Sequence, residues 1–181
     1  MRSGVFFEID GVLTTSRAEN GVQTFPQSVS ELQMNRAAMA PLAELKSAGY
    51  VLMATVNLTE LAGGSMSRRE SDRFLSLLRQ TFDLDDVLTC PHEEDDDCPC
   101  RKPKPGLLIE ARFTWHLDLD HSFVISDKWQ DAEAARNAGC TSLLVDSPWI
   151  GRGHRDVVVS DVSAAVKKLL QFQPARRVMV A

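Results

Sequence analysis

The sequence predicts an α/β fold: a Rossmann-like parallel sheet with helices on both faces. Two observations carry this. Apolar runs of strand length alternate along the chain with segments of helical spacing, the pattern of repeated strand–helix–strand units. The runs, such as Val5-Phe6-Phe7 and Tyr50-Val51-Leu52-Met53-Ala54, are continuously apolar, as strands buried on both faces are. At 181 residues, 44% hydrophobic and 25% charged, the chain reads as one domain over 1–181 with enough apolar material for a core.

The first strand is expected over 5–10, stopped by Gly11, with Glu8 and Asp10 at its C-terminal end. Residues 14–33 are polar and turn-rich and read as a loop at a pocket entrance. Helical spacing follows over 35–48, with Met39, Leu42 and Leu45 on one face and Gly49 as the stop. The second strand, 50–56, runs into Asn57 and Thr59, and Gly63-Gly64 break the chain. A helix over 67–82 places Phe74, Leu77 and Leu78 in the core, and a third strand covers 86–89. After a loop comes a helix over 106–115 with Leu107, Leu108, Ala111 and Phe113. A fourth strand, 122–126, ends at Asp127-Lys128; a helix over 131–138 closes at Gly139; a fifth strand covers 141–145. Ser160 opens the last helix, through Leu170, and the tail 174–181 is expected to be flexible.

The loop between the third strand and the next helix is the most informative stretch. Cys90-Pro91-His92 and Cys98-Pro99-Cys100 supply three thiols and an imidazole within eleven residues. That is a Cys₃His set suited to a tetrahedral structural zinc, with no open position left for a substrate. The bland alternative is a loop of free thiols. A disulfide framework fits less well, because three clustered cysteines leave one over. Arg101-Lys102-Pro103-Lys104-Pro105-Gly106 follows directly, and its alternate prolines hold the cations on non-helical chain. Fixed cations suit an anionic ligand.

Parallel strands deliver Glu8, Asp10, Thr55 and Asp127 to one edge of the sheet, where such folds bind ligands. Carboxylates crowded there call for a counter-charge, and Mg²⁺ is the usual one beside a phosphate. Asp127 and Asp131 read as metal ligands on these grounds. The net charge of −5 argues against nucleic acid as a main partner. Glu8 arrives too early for a signal peptide, no apolar run is long enough to span a membrane, and zinc thiolates suit a reducing cytoplasm. Cys140, before the fifth strand, reads as core, and Trp129 reads as packing.

With these residues placed, the chain resembles the haloacid dehalogenase superfamily. It is most similar to the branch of heptose bisphosphate phosphatases and histidinol-phosphate phosphatases, whose members lack a large cap and carry a zinc-stapled loop. The resemblance rests on Glu8-Ile9-Asp10-Gly11, Thr55, the Cys–His loop with Arg101-Lys102-Pro103, and Ser126-Asp127-Lys128 with Asp131. It implies a capless fold, Mg²⁺ and Zn²⁺ as cofactors, and hydrolysis of a small phosphorylated metabolite by a monomer or weak dimer. It assigns catalysis to Glu8 and Asp10, phosphate binding to Thr55, Asn57, Arg101, Lys102 and Lys128, and Mg²⁺ to Glu8, Asp10, Asp127 and Asp131. Zinc falls to Cys90, His92, Cys98 and Cys100. The chain departs from the pattern at Glu8, where the family carries an attacking Asp. It departs again at Val56-Asn57-Leu58-Thr59, where the family carries Asn-Gln-Ser-Gly. The competing expectation is therefore a weak or silent member that binds a phosphorylated ligand or a protein partner.

Overall fold

The computed structural model describes residues 1–19, 22–24, 29–59 and 66–172. The Gly63-Gly64 break and the tail 174–181 lie outside these residues. Six parallel strands form one sheet: β1 (Gly4–Glu8), β4 (Val51–Asn57), β5 (Asp86–Cys90), β6 (Phe123–Ser126), β7 (Thr141–Val145) and β8 (Val157–Val159). Their spatial order is β5-β4-β1-β6-β7-β8, so β1 lies inside the sheet and the chain reverses its direction of travel beside it. That reversal opens a crevice at the carboxyl ends of β1 and β6.

Burial on both faces explains the apolar strands. Along β1, Val5 and Phe7 enter one core and Phe6 the other, following the two-residue period of a strand. The first core is covered by α1 (Met39–Ser47), α2 (Arg68–Thr81) and α5 (Val162–Gln171), through Leu42, Leu45, Phe74, Leu78, Val166 and Leu169. The second is covered by α3 (Gly106–Trp115) and α4 (Trp129–Ala138), through Leu107, Leu108, Ala111, Ala134 and Ala135. Two helix starts are fixed locally. Ser67 and Glu70 form a reciprocal capping box on α2, and the Asp161 carboxylate accepts from the Ala164 N–H at 2.8 Å on α5.

The structure differs from the sequence reading in particular places. Residues 17–19 and 22–24, inside the expected loop, form a two-stranded antiparallel hairpin, β2 (Arg17–Glu19) and β3 (Val22–Thr24). The sheet has a sixth strand, β8, too short for its three valines to give a pattern. It is set beside β7 by Asp156, whose carboxylate accepts from both the N–H and the hydroxyl of Ser142 at 2.8 Å. Helix α4 begins at Trp129, two residues early. Met39, Leu77 and Phe113 are exposed, at 44%, 48% and 70%. Phe113 sits two residues past Ala111, about 200° around the helix, on the solvent side.

Candidate active site

Strand β1 ends at Glu8, which is in register with Thr55 on β4. Glu8 is buried, and its Oε1 accepts from the N–H of Ile9 at 2.9 Å. Its other oxygen, Oε2, forms an ion pair with the Lys102 ammonium. Lys102 Nζ also donates to Asp131 Oδ1 at 2.9 Å and to the Thr55 carbonyl at 3.3 Å. Lys128 Nζ lies 3.6 Å from Glu8 Oε1 and 3.9 Å from Asp10 Oδ2. Burial alone would raise the Glu8 carboxyl, but Lys102 and Lys128 outweigh it and hold the pKa at about 2. Burial would lower the two lysines, yet the facing carboxylates push both upward. Glu8 and the two lysines thus favour their charged forms, with opposed signs.

Turns position each member. After β1 the chain folds tightly: the N–H groups of Leu13 and Thr14 both bond the Ile9 carbonyl, at 2.9 and 2.8 Å. Gly11 sits at φ +87°, and a Cβ there would lie 2.1 Å from Asp127 Oδ2, so only glycine lets this carboxylate approach. Asp127 follows β6. The Ser147 hydroxyl donates to its carbonyl at 2.8 Å, and the Lys128 N–H donates to Ser126 Oγ at 3.0 Å. Asp131 lies on the first turn of α4.

Among the described residues, Asp127 Oδ1 and Asp131 Oδ2 are buried side-chain oxygens with no hydrogen-bond partner. Burial raises the Asp127 carboxyl to about 7, with Lys128 pulling down and Glu8, Asp10 and Asp131 pushing up. Burial likewise raises Asp131, to about 6. Partnerless acceptors beside further carboxylates fit a hard divalent cation such as Mg²⁺.

At the end of β5, Cys90, His92, Cys98 and Cys100 bring their ligand atoms within 4.8 Å of one another. Cys90 and Cys98 Sγ are 3.6 Å apart, Cys100 and Cys98 Sγ also 3.6 Å, and His92 Nδ1 lies 3.2 Å from Cys100 Sγ. A tetrahedron with metal–sulfur bonds of about 2.3 Å has edges near 3.8 Å, so donor set and spacing fit zinc.

The structure thus brings together Glu8, Asp10, Thr55, Lys102, Asp127, Lys128 and Asp131, and groups the four metal-loop residues separately. Arg101 and Asn57, which the sequence reading places on phosphate, are engaged elsewhere. Arg101 donates to Thr59 Oγ1 at 2.8 Å and to the His92 carbonyl at 3.2 Å. Asn57 Oδ1 accepts from the Lys102 N–H at 3.1 Å, and its Nδ2 donates to the Lys102 carbonyl at 3.4 Å. The sequence reading missed Ser147, whose link to Asp127 spans 20 residues and leaves no local signal. A cavity of about 290 Å³ opens between Arg101, Lys102 and Lys104 and the start of α4 at Trp129 and Gln130.

The chain is similar to known phosphatases in sequence and in fold. A family model described as HAD-hydrolase-like matches residues 99–167. A D-glycero-β-D-manno-heptose-1,7-bisphosphate 7-phosphatase of Pasteurella multocida is 30% identical over 152 residues, covering 76% of this chain and 78% of that protein. The protein of the same name from Escherichia coli K12 is 27% identical over 155 residues, covering 78% of each chain. Among solved structures, D,D-heptose 1,7-bisphosphate phosphatase from B. bronchiseptica, complexed with magnesium and phosphate, superposes with a TM-score of 0.72. It is 26% identical and matches 93% of this chain and 98% of its own. A putative HAD-like phosphatase from Mesorhizobium loti superposes with a TM-score of 0.66 at 26% identity, covering 94% of this chain and 85% of its own.

Proposed function

Since the chain belongs to the haloacid dehalogenase-like phosphatases, we propose that it hydrolyses a phosphomonoester of a small sugar-like metabolite at the carboxyl edge of its sheet. Heptose 1,7-bisphosphate is the first candidate and histidinol phosphate the second. One observation carries the reading: buried Lys102 is shared between Glu8 and Asp131 beside a partnerless oxygen of buried Asp127. A buried acceptor without a partner is costly, which supports reading the cluster as an anion and cation site.

Glu8 takes the position of the attacking carboxylate. Its oxygen bonds phosphorus while the ester P–O bond breaks, and Asp10 gives a proton to the leaving alkoxide. Asp10 then takes a proton from the water that cleaves the glutamyl-phosphate, releasing inorganic phosphate. Thr55, Lys102 and Lys128 hold the phosphoryl oxygens. Mg²⁺, held by Glu8 and Asp127 with Asp10 and Asp131 beside them, would supply charge neutralisation on the transferred group. Cys90, His92, Cys98 and Cys100 would hold a structural zinc that shapes the loop carrying Lys102.

A second reading, a weak or silent member that retains ligand, is favoured by the state of Glu8. Both its oxygens are engaged, one by Lys102 and one by its neighbour's N–H. A phosphate-release screen over sugar bisphosphates and histidinol phosphate with Mg²⁺, run on the wild type and Glu8→Asp, separates the two. Turnover by the wild type supports the first reading, and turnover by Glu8→Asp alone supports the second.

A further inference from the structure

Lys102 is held at both ends. Its ammonium is fixed by Glu8, Asp131 and the Thr55 carbonyl. Its backbone is fixed by Asn57, the last residue of β4, whose carboxamide takes the Lys102 N–H at one atom and the carbonyl at the other. The Asn57 side chain is buried at 2% exposure, on a strand in register with β1 on one side and β5 on the other. A carboxamide facing a single peptide residue in this way replaces a missing strand neighbour: it offers one acceptor and one donor with no charge and little freedom. Among the described residues, the backbone polar groups of Lys102 reach the sheet through Asn57. Its neighbours are tied separately: Arg101 donates to Thr59 Oγ1 at 2.8 Å, Cys100 Sγ lies 3.2 Å from Cys90 Sγ at the end of β5, and within the loop the Arg101 N–H meets Cys98 Sγ at 3.3 Å, the Lys104 N–H the Arg101 carbonyl at 2.9 Å and the Gly106 N–H the Pro99 carbonyl at 3.0 Å.

We propose that Asn57 is a positioning residue for Lys102: its buried carboxamide grips both backbone polar groups of the lysine and so sets the reach of the ammonium into the anion site. The proposal rests on the reading of Lys102 as a phosphate ligand. It gives Asn57 a task other than touching phosphate. The strand that carries Thr55 thereby also aligns the lysine opposite it. A displacement of about 1 Å at such a group is enough to cost on the order of 100-fold.

The test is a double-mutant cycle on the full chain with Mg²⁺, reading inorganic phosphate affinity by calorimetry and thermal stability in parallel. Asn57→Leu removes both contacts at similar volume; Asn57→Asp keeps the acceptor for the Lys102 N–H and loses the donor. Phosphate affinity should fall in the order wild type, Asn57→Asp, Asn57→Leu, by at least about tenfold at the last step. In the Lys102→Ala background all three should bind alike. Stability changes should instead add, because alanine keeps the backbone groups that Asn57 holds. Affinity losses that persist unchanged in Lys102→Ala overturn the proposal, as does wild-type affinity in Asn57→Leu. If Asn57→Leu does not fold, Asn57→Asp against wild type carries the same comparison. Failure of the wild type to release phosphate from any sugar phosphate would remove the catalytic reading while leaving a positive cycle intact. Failure of the wild type to bind phosphate would remove both.

Discussion

In the proposed mechanism Glu8 carries the reaction or forfeits it. Its charge is secure, since Lys102 and Lys128 hold the carboxyl at about 2 against the upward pull of burial. What differs from an aspartate is aim. One methylene adds about 1.5 Å of reach, and Oε1 is turned back onto the N–H of the next residue. In-line attack needs an oxygen at near-contact distance and properly aligned. Glu8→Asp is therefore expected to raise turnover by at least about 100-fold over wild type, measured as phosphate release under saturating Mg²⁺. A wild type faster than Glu8→Asp, trapped as a glutamyl-phosphate by metal fluorides, would show the surrounding loops rebuilt around the longer side chain. Asp10→Asn keeps size and hydrogen bonding but removes the proton donor to the leaving oxygen, so remaining turnover should disappear while phosphate still binds.

The element expected to depend most on a bound metal is the loop 90–106. Residues 91–97 are all exposed, and between Cys90 and Cys98 the loop buries nothing that could fold it. An ion pair from Lys104 to Asp97 crosses it in solvent, where such pairs contribute little. Binding of the metal is then local folding. Purified, reduced protein should hold about one zinc per chain. A chelator, or Cys98→Ser, should lower the melting temperature and open 90–106 to proteases ahead of the sheet; metal analysis and limited proteolysis check this. This element was legible in the sequence because its ligands are close neighbours in the chain. The helices were legible for the same reason, through spacing and glycine stops such as Gly49 and Gly139. Strand β8 was not: three valines give no period, and it is placed by Asp156 reaching Ser142 across 14 residues. Nor was the exposure of Leu77 and Phe113, which the spacing assigned to the core, since spacing marks a stripe but not its width.

For the whole molecule, parallel topology alone brought Glu8, Thr55 and Asp127 to one edge, which strand ends in the sequence sufficed to foresee. Who pairs with whom there was hidden, because Glu8 and Lys102 are 94 residues apart and Asn57 and Lys102 are 45 apart. The same convergence makes stability depend on pH and metal. Asp127, raised by burial to about 7, and Asp131, raised to about 6, stay protonated in the folded chain at pH values where the unfolded chain has lost those protons. The folded state then binds more protons, so stability falls as pH rises from about 4 to about 7 and levels above that. Glu8 acts in the opposite sense and lower down, adding stability between about 2 and its unfolded value of 4.5. Mg²⁺ binding requires the ionised carboxylates, so its stabilisation should grow across the window in which the metal-free protein weakens. Asp127→Asn removes the buried charge while keeping the shape. In metal-free buffer its melting temperature should exceed that of wild type at pH 7.5 by at least about 3 °C, about 1 kcal/mol for a chain of this size, and approach it at pH 5. With millimolar Mg²⁺ the order should reverse, because only the wild type gains from the metal. Parallel pH profiles for the two proteins, with equal Mg²⁺ shifts, would place the metal elsewhere.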